Sequence, residues 1–134
     1  MIGRLAYLDS SAYVKLVLQE VGHRPLREEL AEWGGYLSSS LLGVEALRAS
    51  ARYGEGYVRE ARAWLHDVAL VPLDDAVLDH AASLPPAGLR SLDALHVATA
   101  LSVGEDLGAF FTYDDRLSAA ATEQGLPVVS PGVA

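Results

Sequence analysis

The sequence predicts an α/β fold, a three-layer α/β/α sandwich in which helices cover both faces of a mostly parallel central sheet. Short apolar runs alternate with helical segments along the chain, which is the pattern of parallel α/β domains. Two of these runs, residues 5–8 and 109–113, lead directly into Asp9 and Asp114. Since ligands of open α/β sheets bind at the carboxyl ends of the strands, both acids are expected beside one crevice.

The elements follow in order from apolar runs, capping residues and breaks at glycine or proline. Strands are expected at residues 5–8, 36–38, 69–73, 109–113 and 127–129. Helices are expected at residues 13–18, 23–33, 41–53, 56–67, 76–84, 91–103 and 116–124. Pro72 favours an edge position for the third strand, because proline donates no hydrogen bond to a neighbouring strand.

Capping residues and apolar spacing define the individual helices. Asp9, Ser10 and Ser11 are all suitable N-caps for the first helix, and Ser91 is the expected N-cap of the sixth. The fourth helix is expected to bury an apolar stripe of four residues: Tyr57, Ala61, Trp64 and Leu65.

Length and composition indicate one cytoplasmic domain, residues 1–134, with a substantial core. No apolar run is long enough to span a bilayer, and the N-terminus has no signal-peptide hydrophobic region, so no membrane association is expected. The chain contains no cysteine, which excludes disulfides, thiolate metal sites and cysteine nucleophiles.

The formal net charge is −8 and lies mostly in the second half of the chain. Residues 67–134 contain ten acidic side chains and two arginines, Arg90 and Arg116. Such an acidic surface does not attract a polyanion such as a nucleic acid electrostatically. Nucleic-acid chemistry would therefore depend on bound cations and a local arginine rim, or else the acidic surface binds a basic partner.

Two further carboxylates lie on or beside apolar helix faces. Glu45 continues the spacing of Leu42 and Ala46, which places it at the edge of an apolar stripe. The simpler interpretation is a salt bridge along the helix to Arg48 or Arg52. An inward-facing glutamate, in contrast, needs a partner, because burying an unpaired carboxylate is costly.

Asp93 lies in the first turn of its helix, where the helix dipole alone favours a negative charge. Asp9 and Asp114 have an equally simple interpretation as helix N-caps. If Asp9, Glu45, Asp93 and Asp114 converge, however, they cannot all stay charged without a cation. Four hard oxygen donors indicate Mg²⁺ or Mn²⁺.

The residues around these acids could support the site. Thr112 and Ser10 could hydrogen-bond a carboxylate or a metal-bound water. His96 is expected to pack beneath the site with a hydrogen bond to backbone, in preference to forming an Asp-x-x-His zinc pair with Asp93. Four basic residues could border the crevice and contact phosphate, or simply be solvated: Lys15, Arg48, Arg90 and Arg116.

Four segments resemble the motifs of PIN-domain proteins, in order and over nearly the whole chain. They are residues 7–16 (YLDSSAYVKL), 38–49 (SSSLLGVEALRA), 89–100 (LRSLDALHVATA) and 111–117 (FTYDDRL), followed by the tail 125–132 (GLPVVSPG). The resemblance is specific to the VapC-type toxins of type II toxin–antitoxin systems. The spacing of threonine and aspartate in the fourth motif favours Asp114 over Asp115.

The resemblance implies a PIN fold and a Mg²⁺- or Mn²⁺-dependent ribonuclease, usually a homodimer. It assigns metal binding to Asp9, Glu45, Asp93 and Asp114, with Thr112 in support. Water activated by the metal would cleave RNA to leave 5′-phosphate and 3′-hydroxyl ends. It also implies a neutralising antitoxin, in a heterotetramer or larger assembly, which often inserts a basic side chain into the acidic pocket.

Three other kinds of protein share some of these features with a PIN-domain ribonuclease. A receiver-like signalling domain would need paired acids after the first strand and a lysine after the last, whereas Asp9 stands alone and Lys15 is the chain's only lysine. A haloacid-dehalogenase phosphatase would need Asp-x-Asp, and residue 11 is serine. A PIN-fold module that binds RNA or regulates without significant turnover remains the alternative.

Overall fold

The computed structural model describes residues 4–133, so residues 1–3 and 134 of the expected domain lie outside the described residues. The strands are β1 (Leu5–Leu8), β2 (Gly35–Ser39), β3 (Val68–Val71), β4 (Leu107–Phe111) and β5 (Val128–Val129). The α-helices are α1 (Ser10–Leu18), α2 (His23–Leu30), α3 (Leu42–Ala51), α4 (Glu55–Leu65), α5 (Asp75–Ser83), α6 (Ser91–Val103) and α7 (Asp115–Glu123). None of the described helices has both the length and the apolar character needed to cross a bilayer.

The five strands form a single sheet in the order β3-β2-β1-β4-β5, and every neighbouring pair is parallel. The predicted parallel α/β architecture is therefore confirmed. The chain moves outward from β1 through β2 to β3, then returns to the other side of β1 to form β4 and β5. This reversal puts the switch point between β1 and β4, where α/β sheets open a crevice for ligands.

Helices cover both faces of the sheet, because successive strand residues point to opposite sides. Ala6 and Leu8 pack in one apolar cluster with residues of α1 to α4. Tyr7 packs in the other with residues of α5 to α7. The result is the three-layer sandwich predicted from the sequence.

Several boundaries differ from the prediction. Strand β4 ends at Phe111, so Thr112 and Tyr113 belong to the loop that leads to Asp114. Strand β3 is at the sheet edge, as predicted, but it ends before Pro72. Ser91 does not cap α6; the N-cap is Arg90, without a side-chain capping bond.

The expected apolar stripe of α4 is only partly correct. Ala61 is fully buried, and Trp64 and Leu65 are partly buried against the core. Tyr57 is instead 42% exposed. The Tyr57 ring contacts the Tyr53 ring edge to face, so Tyr57 packs against the turn that follows α3.

A β-bulge interrupts the pairing of the two central strands. Leu5 pairs with Leu107 but Ala6 pairs with Ala109, so Gly108 is an extra residue on β4. The Trp33 ring lies against this residue, and a Cβ at position 108 would approach it to 2.1 Å. Glycine is therefore required here, as is common where another group approaches a strand closely.

Candidate active site

The switch point brings Asp9 and the Thr112–Asp114 loop together. Leu8 and Phe111 are register partners at the carboxyl ends of β1 and β4. The Asp9 N–H donates to the Phe111 carbonyl at 3.1 Å, which extends the pairing by one residue. The chain then continues from these strand ends into α1 and α7.

Asp9 both caps α1 and lies buried at the centre of this region, with 2% exposure. Its carboxylate accepts hydrogen bonds from the Ala12 N–H at 2.8 Å, the Ser11 hydroxyl at 2.7 Å and the Thr112 hydroxyl at 2.6 Å. Burial raises the pKa of Asp9, while the hydrogen bonds from Thr112, Ala12 and Ser11 oppose that rise. The N-cap interpretation of Asp9 is thus correct, and the same carboxylate is also buried against Thr112.

Ser11 is a site residue that the sequence did not single out. Besides donating to Asp9, its oxygen accepts the Tyr113 N–H at 2.9 Å. It therefore links the start of α1 to the loop after β4. Its proximity to Asp9 in sequence was visible, but its role depends on contact with a loop 102 residues away.

Glu45 lies on α3 beside Leu42 and Ala46, which are both fully buried. Its side chain accepts a hydrogen bond from the Ser10 hydroxyl at 3.2 Å, so Ser10 contacts an acid as expected. It also lies 2.7 Å from Nε2 of His96. The salt bridge to Arg48 or Arg52 is therefore not the interaction that holds Glu45.

His96 is buried beneath the acids as predicted, but the expected hydrogen bond to backbone is wrong. Its Nδ1 lies 2.7 Å from the Tyr7 hydroxyl and its Nε2 contacts Glu45. An ionised carboxylate can only accept, so Nε2 carries a proton, and in the neutral ring Nδ1 accepts from Tyr7. Burial also raises the pKa of Tyr7, which keeps that donor protonated.

Arg90 joins the remaining two acids. Its Nε lies 2.9 Å from Oδ2 of Asp93, and its Nη2 lies 2.7 Å from Oδ2 of Asp114. The other Asp114 oxygen accepts the Leu117 N–H at 2.9 Å and so caps α7. That backbone hydrogen bond and the Arg90 guanidinium hold the pKa of Asp114 below its usual range.

The other predicted basic residues lie farther from the acids. Lys15 donates to the Val21 carbonyl at 2.9 Å and lies over the Tyr113 ring, 4.4 Å from its centroid. It lines the same shallow depression as Glu45. Arg48 and Arg116 are exposed. Among the four predicted rim residues, Arg90 is the one whose side chain forms ion pairs with the predicted acids.

The acidic side chains of the site offer carboxylate oxygens, the donor type that hard divalent cations prefer. No group of three or more His, Asp or Glu side chains within residues 4–133 is arranged to hold a metal ion as the side chains stand. The reason is local: Glu45 is directed to His96, and Arg90 takes one oxygen from each of Asp93 and Asp114.

Comparisons with known proteins agree with this architecture. The family model of the PIN domain matches residues 6–123. Ribonuclease VapC46 of Mycobacterium tuberculosis is 43% identical over 125 residues, which cover 93% of this chain and 96% of that protein.

Solved structures show the same fold. The crystal structure of Mycobacterium tuberculosis VapC20, described as a Sarcin-Ricin loop cleaving toxin, has a TM-score of 0.75 at 18% identity and covers 94% of this chain and 99% of its own. A toxin–antitoxin complex from Klebsiella pneumoniae contains a chain with a TM-score of 0.73 at 21% identity, covering 94% of this chain and 97% of its own.

Proposed function

Since the chain belongs to the PIN-domain family and, within it, to the VapC ribonucleases, we propose that it is a Mg²⁺- or Mn²⁺-dependent endoribonuclease toxin. The observation that carries this proposal is a set of contacts that link the four acids. Ser10, next to Asp9, donates to Glu45, and Thr112 bonds both Asp9 and the Asp114 N–H. Arg90 then joins Asp114 to Asp93. We also propose that residues 1–134 form one cytoplasmic PIN domain.

We infer that these four carboxylates are the metal ligands. A bound divalent cation would activate a water molecule and stabilise negative charge on the scissile phosphate. The donors around Asp9 and Glu45 support this assignment, since these two carboxylates are oriented by residues outside the proposed RNA contacts. Thr112 and Ser11 orient Asp9.

The histidine below the site orients the second carboxylate. With Nδ1 accepting from Tyr7, the His96 ring directs an N–H at one oxygen of Glu45. The other oxygen accepts from Ser10. Glu45 thereby stays near the crevice although its helix is anchored in the core. Partners of this type fix the orientation of metal-binding side chains.

RNA is the proposed substrate, with the exposed arginines and Lys15 as phosphate contacts. Arg90 and Arg116 line one depression of about 620 Å³, and Lys15 lines another beside Glu45. These cations would offset the acidic surface locally. A basic segment of an antitoxin is the proposed partner for the rest of that surface, and a homodimer the proposed oligomer.

Cleavage of a total RNA preparation tests the proposal. The wild-type protein with Mg²⁺ or Mn²⁺ should yield fragments with 5′-phosphate and 3′-hydroxyl ends, and excess EDTA should abolish cleavage. Fragments ending in 2′,3′-cyclic phosphate, or full activity in EDTA, would contradict it. RNA binding without cleavage under all metal conditions would instead favour the non-catalytic RNA-binding alternative.

Co-expression tests the toxin role separately. Induction of the wild-type chain should arrest growth, and co-expression of a small protein encoded beside it should restore growth. Light scattering of the purified chain, alone and with that partner, measures the oligomeric state. If the purified chain is a monomer, the proposed homodimer is wrong. If it forms no complex with the neighbouring protein, the proposed antitoxin partner is wrong.

A further inference from the structure

We propose that Arg90 is a built-in counter-cation that holds the metal-binding oxygens of Asp93 and Asp114, and that a divalent ion must displace it to bind. This inference rests on the proposed function, since it concerns the same site. It adds that the Arg90 guanidinium competes with the divalent ion for the same carboxylate oxygens, and that this competition sets the affinity of the site for its metal.

The contact geometry points to direct competition for the same atoms. Each acid is bound by Arg90 through its Oδ2 atom. Oδ1 of Asp114 is committed to the Leu117 amide at the start of α7. A metal ion at Asp114 would therefore bind Oδ2, the atom that Arg90 now contacts at 2.7 Å.

Two different nitrogens make these contacts, which a guanidinium fork allows. Nε meets Asp93 and Nη2 meets Asp114, so one positive charge bridges acids from two separate elements. The side chains of Asp93 and Asp114 are 11% and 30% exposed, respectively. Carboxylates that are partly withdrawn from water need a positive partner, and Arg90 supplies it.

Arg90 is also positioned so that its guanidinium can move away from Asp93 and Asp114. Its side chain is 60% exposed and lies just before the first residue of α6, outside the packed core. Exposed ion pairs contribute little free energy, so a doubly charged ion in direct contact outcompetes them. The depression that Arg90 shares with Arg116 offers space for the displaced guanidinium.

Binding of Mn²⁺ alone, without RNA, tests the inference. Free Mn²⁺ is measured by electron paramagnetic resonance during titration of the full chain as wild type, R90Q and R116Q. R90Q should bind Mn²⁺ about three- to tenfold more tightly than wild type, the range expected when the two ion pairs of one largely exposed arginine no longer have to be broken. Arg116 is the matched control, because R116Q removes the same charge nearby without touching either acid.

A lysine variant separates contact from net charge. In R90K one ammonium group cannot place separate nitrogens on both acids, so Mn²⁺ affinity should rise, but less than in R90Q. Equal affinities for R90Q and wild type, or an equal gain in R116Q, would overturn the inference. Circular dichroism on each variant verifies that the fold is retained.

The outcomes also separate this inference from the proposed function. Mn²⁺ binding to wild type that D9N abolishes supports the metal site itself, whatever Arg90 does. If that binding is present and R90Q leaves it unchanged, the Arg90 inference alone fails. If no variant binds Mn²⁺ in a manner that depends on Asp9, the proposed metal-dependent function fails first.

Discussion

Thr112 donates a hydrogen bond of 2.6 Å to the carboxylate of Asp9, a residue 103 positions earlier in the chain. Both side chains are almost completely buried. They follow Phe111 and Leu8, which are partners in the register of β4 and β1. The bond therefore joins the two strand ends at the switch point and fixes the orientation of the most deeply buried acid.

Replacing this donor should affect both stability and cleavage. T112V keeps the shape of the side chain but leaves Asp9 without one hydrogen bond, which should lower the free energy of unfolding by about 1–3 kcal/mol. Urea unfolding measures that change, and the cleavage rate should fall as Asp9 loses its orientation. T112S retains the hydroxyl and should keep most of both properties; equal behaviour of the two variants would contradict this role.

D9N should separate catalysis from folding. Asparagine is as good an N-cap as aspartate, and the neutral amide avoids the cost of a charged group whose pKa burial raises. Asparagine keeps the cap but replaces the oxygen that accepts from Thr112, so the gain from removing the buried charge is offset by one altered hydrogen bond. The variant should therefore remain folded, yet cleave at least about 100-fold more slowly if metal binding is lost.

Asp74 provides the matched control for D9N. It caps α5 by accepting the Val77 N–H at 2.9 Å, the same interaction that Asp9 makes with Ala12. It lies outside the proposed metal site, so D74N should leave cleavage unchanged. Normal cleavage by D9N, or a comparable loss in D74N, would show that the proposed ligand role is mistaken.

The two neighbouring aspartates after β4 should have different functions. Asp114 contacts Arg90 and caps α7, whereas Asp115 is exposed in the first helical turn. D114N should abolish cleavage. D115N should retain it and lose only a few tenths of a kcal/mol of stability through the helix dipole. The comparison is made on one RNA under one metal condition, and the reverse ranking would assign the site to Asp115.

Removing the Tyr7 hydroxyl should weaken the orientation of Glu45. Y7F preserves the ring stacked on Phe110, at 4.9 Å between centroids and 7° between planes. It removes the donor that directs the His96 ring. We expect cleavage to fall by about threefold to tenfold, equivalent to roughly 1 kcal/mol for one hydrogen bond.

A second tyrosine tests whether this effect is specific. Tyr36 donates its hydroxyl to the Leu30 carbonyl at 2.7 Å, away from the acids. Y36F should change stability by a similar amount without changing the cleavage rate of the folded protein. Equal losses of cleavage in Y7F and Y36F would indicate a general structural effect and not orientation of Glu45.

The sequence predicted best what depends on short-range patterns. Apolar runs located all five strands, and the turn from strand to helix located Asp9. Boundaries were less accurate because Thr112 and Tyr113, which both favour extended structure, continue past the end of β4 at Phe111. Tyr57 was misassigned for a similar reason: helical spacing identifies a face, but only tertiary packing determines how far along the helix that face is covered.

The contacts inside the site were harder to predict. The Arg90–Asp93 pair was visible as an i, i+3 spacing at a helix start. Its extension to Asp114 depends on how two loops meet, as does the chain from Tyr7 through His96 to Glu45, whose members are separated by 89 and 51 residues. Alternation in β1 could have indicated that Tyr7 faces α6, but not which side chain its hydroxyl would meet.

The bulge at Gly108 has a consequence for how this fold can vary in length. Because side chains alternate across a strand, the extra residue determines which of Phe110 and Phe111 enters each layer and on which side Thr112 emerges. Loops at the opposite edge of the sheet can gain or lose residues without moving the acids. Shortening β4 by one residue would instead exchange its two faces, so the length of this strand is as strict a requirement for the site as the acids themselves.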